Sequence, residues 1–222
     1  MQRRDFAALG ALATVAGLSG FSSAQAQSST PVEGQQFKRL SRPLPTSAGK
    51  IEIIEFFWYG CPHCFVFDPT INQWLHTLPA DATFRRVHVG FGGIHRLHQR
   101  LFYALEAMGK ETEVHGRVFA AFHLSRMDVS DEAAVFELIK YLGLDATQFK
   151  QAWNAFGVQS KCLQATRLSE DFQIDGVPTI GVAGRFLTSP SMAGRRGQTE
   201  QQLGVEALAV TDYLIQLARN KA

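Results

Sequence analysis

The stretch Ile51-Glu52-Ile53-Ile54-Glu55-Phe56-Phe57-Trp58-Tyr59-Gly60-Cys61-Pro62-His63-Cys64 decides how the rest of the chain is read. Apart from two acids, the residues from Ile51 to Tyr59 are β-branched or aromatic, as a buried strand should be. Gly60 supplies a turn, and Pro62 suits the first turn of a helix, where no backbone N–H is missed. Phe65, Val66, Pro69, Ile71, Trp74, Leu75 and Leu78 continue at roughly helical spacing, with a kink expected at Pro69. Strand, C-x-x-C, helix is the context that turns a short motif into a redox hypothesis.

That placement favours Cys61 as the reactive thiol. At a helix start, unpaired backbone N–H groups and the helix dipole stabilise a thiolate. His63, when protonated, adds a positive charge beside it. A stabilised thiolate is a good leaving group, so the disulfide form becomes a strong oxidant. Cys64 lies a turn further in and is expected to be shielded, which suits a resolving role. The competing reading is half of a structural zinc site. Zinc wants four ligands with a second Cys or His pair at short spacing, and the remaining cysteine is Cys162. Phe65, not His, follows Cys64, which excludes c-type haem attachment. No metal and no cofactor are expected.

The N-terminal residues read as an export signal. Arg3 and Arg4 precede an apolar stretch from Phe6 to Phe21, and Ala24-Gln25-Ala26 is a small-x-small cleavage site. The mature chain would begin near Gln27. Arg3-Arg4-Asp5-Phe6 also resembles a twin-arginine signal, so the export route stays open. The apolar stretch is short for a spanning helix, and a soluble, periplasmic protein is expected after its removal. Residues 1–26 carry two Arg and one Asp, so the formal charge falls from +2 to about +1. That balance gives no argument for nucleic acid. Three cysteines are few for a disulfide-stapled scaffold, so the fold must stand on its own core.

The rest of the chain divides by pattern. Residues 27–36 are rich in Ser, Thr, Pro and Gln and read as loose, and a short strand is predicted near Phe37–Leu40. Ala82–Val89 reads as a further strand. From Arg96 to Gly157 only helix signals occur: Leu101, Ala104, Leu105 and Met108 share a face closed by Gly109. Ser130 is the predicted cap of a helix ended by Gly143, and Asp145 with Gln148 looks like a capping box for the next. Gly176–Val182 and Gly184–Leu187 read as two strands joined at Ala183-Gly184. Ser189–Gly197 reads as a flexible basic loop, and Thr199 with Gln202 caps a last helix. The pattern is an α/β domain interrupted by a helical insertion. The expected division is a thioredoxin-like domain over 37–95 and 165–222, with an inserted all-helical domain over 96–164.

Three segments together resemble one family. They are Glu55-Phe56-Phe57 six positions before Cys61-Pro62-His63-Cys64, then Tyr103-Ala104-Leu105-Glu106-Ala107-Met108-Gly109, then Gly176-Val177-Pro178-Thr179. In this order they resemble the DsbA-type thiol:disulfide oxidoreductases over nearly all of residues 35–219. The resemblance implies a thioredoxin fold with an inserted helical domain, and a Cys61 that exchanges disulfides with reduced or unfolded exported polypeptides. It also implies a membrane quinone-linked, DsbB-like reoxidase as partner, and a monomer is expected. Pro178 would be cis against the C-x-x-C, exposing the Val177 backbone to pair with a bound peptide. Read alone, an X-Pro bond is expected trans and Pro178 an ordinary strand-entry proline.

Glu55 is a carboxylate among apolar neighbours, costly to bury ionised unless paired. It is a candidate to accept the proton of Cys64, with Arg85, Arg86 or His88 on the next strand as alternative partners. The family often carries a lysine there, which this sequence lacks. Cys162 shares a predicted helix face with Val158, Ala165, Leu168 and Phe172 and is expected buried and inert; a regulatory or intermolecular disulfide is the alternative. His88, His95, His98, His115 and His123 read as surface or locally paired residues. Phe91, Phe186 and Met192 are candidates for an apolar peptide groove. The reading is a periplasmic dithiol oxidase working through Cys61–Cys64. A reductase or isomerase of the same fold, or a peptide-binding chaperone, is the alternative.

Overall fold

The strand predicted ahead of the C-x-x-C forms as β2, Ile51–Phe57, and lies inside a five-stranded mixed sheet. The structure, a computed structural model, describes residues 30–46 and 49–220, so the expected signal segment 1–26 lies outside it. The other strands are β1 (Lys38–Arg39), β3 (Ala82–His88), β4 (Thr179–Val182) and β5 (Phe186–Thr188). Their order is β1-β5-β4-β2-β3, with β2 parallel to β3 and antiparallel to β4. The β4–β5 turn uses left-handed backbone at Ala183 (φ 53°) and Gly184 (φ 61°), as a two-residue hairpin requires. A Cβ on Gly184 would meet the Leu44 carbonyl oxygen at 2.5 Å, so glycine is needed there twice over.

Alternation along β2 separates two apolar layers. Ile53 packs with Phe67, Ile71 and Trp74 of α1 (Pro62–Trp74) and with Leu208 and Leu214 of α8 (Glu200–Arg219). Ile54 and Phe56 face the other layer, where Phe56 meets the ring of Phe172 at 5.1 Å. Glu55 belongs by parity to the α1 side. α1 runs through Pro69 without ending, although the ring removes one donor from its interior.

The insertion consists of α2 (Gly93–Ala107), α3 (Glu111–His123), α4 (Glu132–Tyr141), α5 (Ala146–Asn154) and α6 (Phe156–Asp171). α6 runs through residues 164 and 165, so the expected domain boundary falls inside a helix. Residues from Pro31 onward form one compact unit. The cap of α4 is Asp131 rather than Ser130, because its carboxylate accepts from the Ala134 N–H at 2.8 Å. Asp145 caps α5 by accepting from Thr147 and Gln148, and the box at Thr199–Gln202 is complete.

Two expected loops are ordered. Within 30–36, Val32 N–H donates to the Gln36 side chain, and Glu33 bridges to Phe37 and pairs with Arg39. Ser189 caps a short helix, α7 (Pro190–Ala193), which buries Ala193. Ser189 followed by Pro190 is itself a helix-start signal, a capping hydroxyl before a proline at the first helical position.

Candidate active site

Cys61 is the N-cap of α1. Its backbone is extended (φ −84°, ψ 115°), and its Sγ accepts from the Cys64 N–H at 3.3 Å. Pro62 follows at the first helical position, where its missing N–H costs nothing. The Cys61 and Cys64 thiols are both free, so the structure describes the dithiol state.

The two thiols, three residues apart, are pushed in opposite directions. A hydrogen bond from the Cys64 thiol does most to hold Cys61 down, and backbone N–H groups at the helix start and the charge of His63 help; against burial they bring it from 9.0 to about 7. Cys64 is fully buried, and burial first, then the proximity of Cys61 and Glu55, pushes it well above the ordinary thiol range. His63 therefore stands further down the order than sequence reasoning placed it. Its ring is largely exposed and its Nδ1 meets Glu200 Oε1 at 3.0 Å, at the start of α8.

Opposite the thiol, Val177–Pro178 is a cis peptide bond, and Cys61 Sγ donates to the Val177 carbonyl at 3.4 Å. Thr179 Oγ1 donates to the Gly176 carbonyl at 2.8 Å, closing the loop that carries this bond. Beside it lies a cavity of about 730 Å³ lined by Leu40, His63, Val177, Pro178, Met192 and Leu203 among others. Met192 thus reaches the groove, whereas Phe186 is fully buried in the core and Phe91 does not line it.

Glu55 is 1% exposed and sits opposite Arg86 in the β2–β3 register. Arg86 Nε donates to Glu55 Oε2 at 3.0 Å, while the neighbouring Arg85 pairs instead with Glu52 at 2.8 Å. Arg86 is shared: its second nitrogen donates to Asp68 Oδ1 at 2.8 Å and to Asn72 at 2.9 Å. The two carboxylates respond differently. Burial dominates at Glu55 and lifts it from 4.5 to about 7, the guanidinium offsetting only part of it. Asp68 is also penalised by burial, but His115, Arg86 and Asn72 together hold it below the usual range.

Sequence reasoning missed Asp68, which is four residues after Cys64 and hence on the same helix face, a spacing that was available to read. Of the two forms expected for the histidines, surface or locally paired, three of them take the paired one. His88, His98 and His115 are buried rather than at the surface, and all ring the turn after β2. His88 Nε2 accepts from the Tyr59 N–H at 3.3 Å, and His123 Nε2 meets the Tyr59 carbonyl at 2.8 Å. His98 takes the Trp58 indole N–H at 2.9 Å. Cys162 is half-buried at the edge of its helix face rather than enclosed, and burial pushes its thiol up to about 11. Among the described residues no His/Cys/Asp/Glu group is arranged to hold a metal, and no helix is long and apolar enough to cross a membrane.

A lowered thiol capping a helix, a buried second thiol three residues on and a cis-proline loop against the first define a thioredoxin-fold thiol:disulfide oxidoreductase. A family model described as a DSBA-like thioredoxin domain matches residues 86–196. The thiol:disulfide interchange protein DsbA of Azotobacter vinelandii is 39% identical over 213 residues, covering 94% of this chain and 96% of its own. That of Bordetella parapertussis is 35% identical over 221 residues, covering 99% of this chain and 100% of its own. The crystal structure of Pseudomonas aeruginosa DsbA matches with a TM-score of 0.77 at 37% identity, over 84% of this chain and 94% of that one. The chain belongs to the DsbA family of thiol:disulfide interchange proteins.

Proposed function

We propose that this chain is a periplasmic dithiol oxidase that introduces disulfides into exported polypeptides through Cys61 and Cys64. A substrate thiolate attacks Cys61 Sγ of the oxidised pair. The Cys61–Cys64 bond breaks, a Cys61–substrate bond forms, and Cys64 leaves with the electron pair. Because burial makes a Cys64 thiolate costly, Cys64 takes a proton, for which protonated Glu55 is the donor. A second substrate thiolate then attacks the substrate sulfur of the mixed disulfide. The substrate leaves oxidised, and Cys61 leaves as a thiolate. In reoxidation by a membrane quinone-linked, DsbB-like partner the proton returns from Cys64 to Glu55. Val177 offers its backbone to the bound peptide in the groove beside Pro178.

The observation that carries this reading is the opposite displacement of the two thiols, with Cys61 at about 7. A thiolate stable near neutral pH favours the reduced enzyme, and hence the transfer of oxidising equivalents to substrate. The test is the redox state of Cys61/Cys64 in graded glutathione buffers. A pair that stays reduced until the buffer is strongly oxidising supports the oxidase. A pair that forms its disulfide in reducing buffer makes the same site a reductase.

A further inference from the structure

Three carboxylates, Glu55, Asp68 and Glu111, gather behind the active-site helix around one permanent cation, Arg86. The insertion delivers a second positive group. His115, on α3, is buried with its Nε2 3.2 Å from Asp68 Oδ1 and its Nδ1 2.6 Å from Glu111 Oε1. Tyr59 OH lies 3.1 Å from the same Nδ1, and the ring packs edge-on against Phe57 at 5.3 Å. Asp68 Oδ1 therefore faces both Arg86 and His115, while its Oδ2 accepts from Asn72 at 2.9 Å.

We propose that His115 is a positioning residue for Glu55: through Asp68 it fixes the Arg86 guanidinium that faces Glu55, and its charge sets how readily Glu55 exchanges a proton with Cys64. This rests on the reading of Glu55 as the proton partner of Cys64. The charge balance supplies the argument. With His115 protonated, its charge and that of Arg86 oppose three carboxylates. With His115 neutral, the surplus negative charge makes Glu55 hold its proton more tightly, in a place where little water screens the effect. Glu111 and Asp68 favour the protonated ring against the cost of its burial, and the balance lifts His115 above the ordinary histidine range. Geometry adds a second route. Without His115, Asp68 Oδ1 loses the cationic ring 3.2 Å away and is left to Arg86, which also holds Glu55 and Asn72. The titratable and charged groups around the ring are Glu111 on its own helix, Asp68 on α1, Arg86 and His88 on β3, and Glu55 and Tyr59 on and after β2. A purely structural core histidine would share the contacts but not the effect on Glu55.

The test follows the closing step on a Cys61–glutathione mixed disulfide. Cys64 attacks Cys61 Sγ, the glutathione thiolate leaves, and the Cys64 proton passes to Glu55. The rate should rise with pH through a midpoint near the Glu55 value of about 7. In His115→Gln that midpoint should move up by about half to one pH unit, slowing the step roughly three- to tenfold on the acid side. Glu55→Gln should remove the inflection, and adding His115→Gln to it should change nothing further. An unmoved midpoint in His115→Gln, or a His115 effect that survives in the Glu55→Gln background, overturns the proposal. A profile untouched by Glu55→Gln alone instead overturns the reading of Glu55. Should His115→Gln fail to fold, the wild-type Glu55 carboxyl and His115 imidazole are followed by NMR titration. Two-step, mutually dependent curves support the proposal, and independent single steps overturn it.

Discussion

Glu55 is a stability liability whose size can be worked out. Its folded pKa of about 7 lies above its ordinary 4.5, so the acid is easier to bury protonated than ionised. The sign follows: the penalty is absent below about pH 4.5, grows across the window to about 7, and is complete above it. At 1.36 kcal/mol per pH unit the interval corresponds to about 3 kcal/mol. Removing one member of a buried ion pair ordinarily destabilises, because the other charge is left alone. Arg86 is not left alone here, since Asp68 holds it at 2.8 Å. Glu55→Gln keeps an oxygen for the Arg86 Nε, and what the ionised carboxylate gains from Arg86 is already offset within its raised value. The variant should therefore gain about 3 kcal/mol at pH 7.5, and under about 0.5 kcal/mol at pH 4.5. The assay is urea unfolding of both proteins in their dithiol forms at the two pH values. A variant less stable at pH 7.5 than at pH 4.5, relative to wild type, would refute the reasoning. It would mean that Arg86 more than offsets the burial of the carboxylate.

The thiols give two further expectations. Cys64→Ala removes the hydrogen bond that does most to stabilise the Cys61 thiolate, and should raise the Cys61 midpoint by about one pH unit in thiolate absorbance at 240 nm. His63→Ser should move it by less, and by less still at high salt, because the ring is exposed; the reverse order would restore His63 as the principal cause. With the active-site pair oxidised, Cys162 should react with iodoacetamide at pH 7.5 about a hundredfold more slowly than in the unfolded chain, because its thiol is lifted from 9.0 to about 11. Equal rates would show a thiol open to solvent.

What the sequence made legible was local. The strand, the C-x-x-C at a helix start and the boxed cap at Thr199 follow from residue type and short spacing, and each stands as read. Glu55 was legible as a costly burial, but its partner was not. Arg85 and Arg86 are adjacent, successive strand residues point to opposite faces, and only the β2–β3 register decides between them. The cis state of Val177–Pro178 is the minority form of an X-Pro bond and entered through resemblance, not through local chemistry. His115 was invisible for a different reason. It lies 47 residues beyond Asp68 along the chain, on a helix whose own pattern gives no hint of what its face meets.

The asymmetry of the two thiols shows how little of the site is owed to the side chain between them. His63 sits beside Cys61 in sequence, yet its ring turns outward to Glu200. The Cys61 thiolate is held by groups that the backbone places: the Cys64 N–H donates to it because Cys61 is an N-cap, and the Cys64 thiol follows because a helix begins there. Cys64, in the first turn of the same helix, has only a backbone contact from Trp58 to set against its burial in the apolar layer, so burial dominates there. One helix start thus displaces two chemically identical thiols in opposite directions, as the proposed exchanging and resolving roles require. The resolving thiol must still lose and gain a proton in a place that disfavours its charge. On the proposed reading of Glu55, that requirement gives the buried acid, its shared arginine and the histidine from the insertion a common purpose, and it makes the proton path, rather than the thiol pair, the place where substitutions should move the rate.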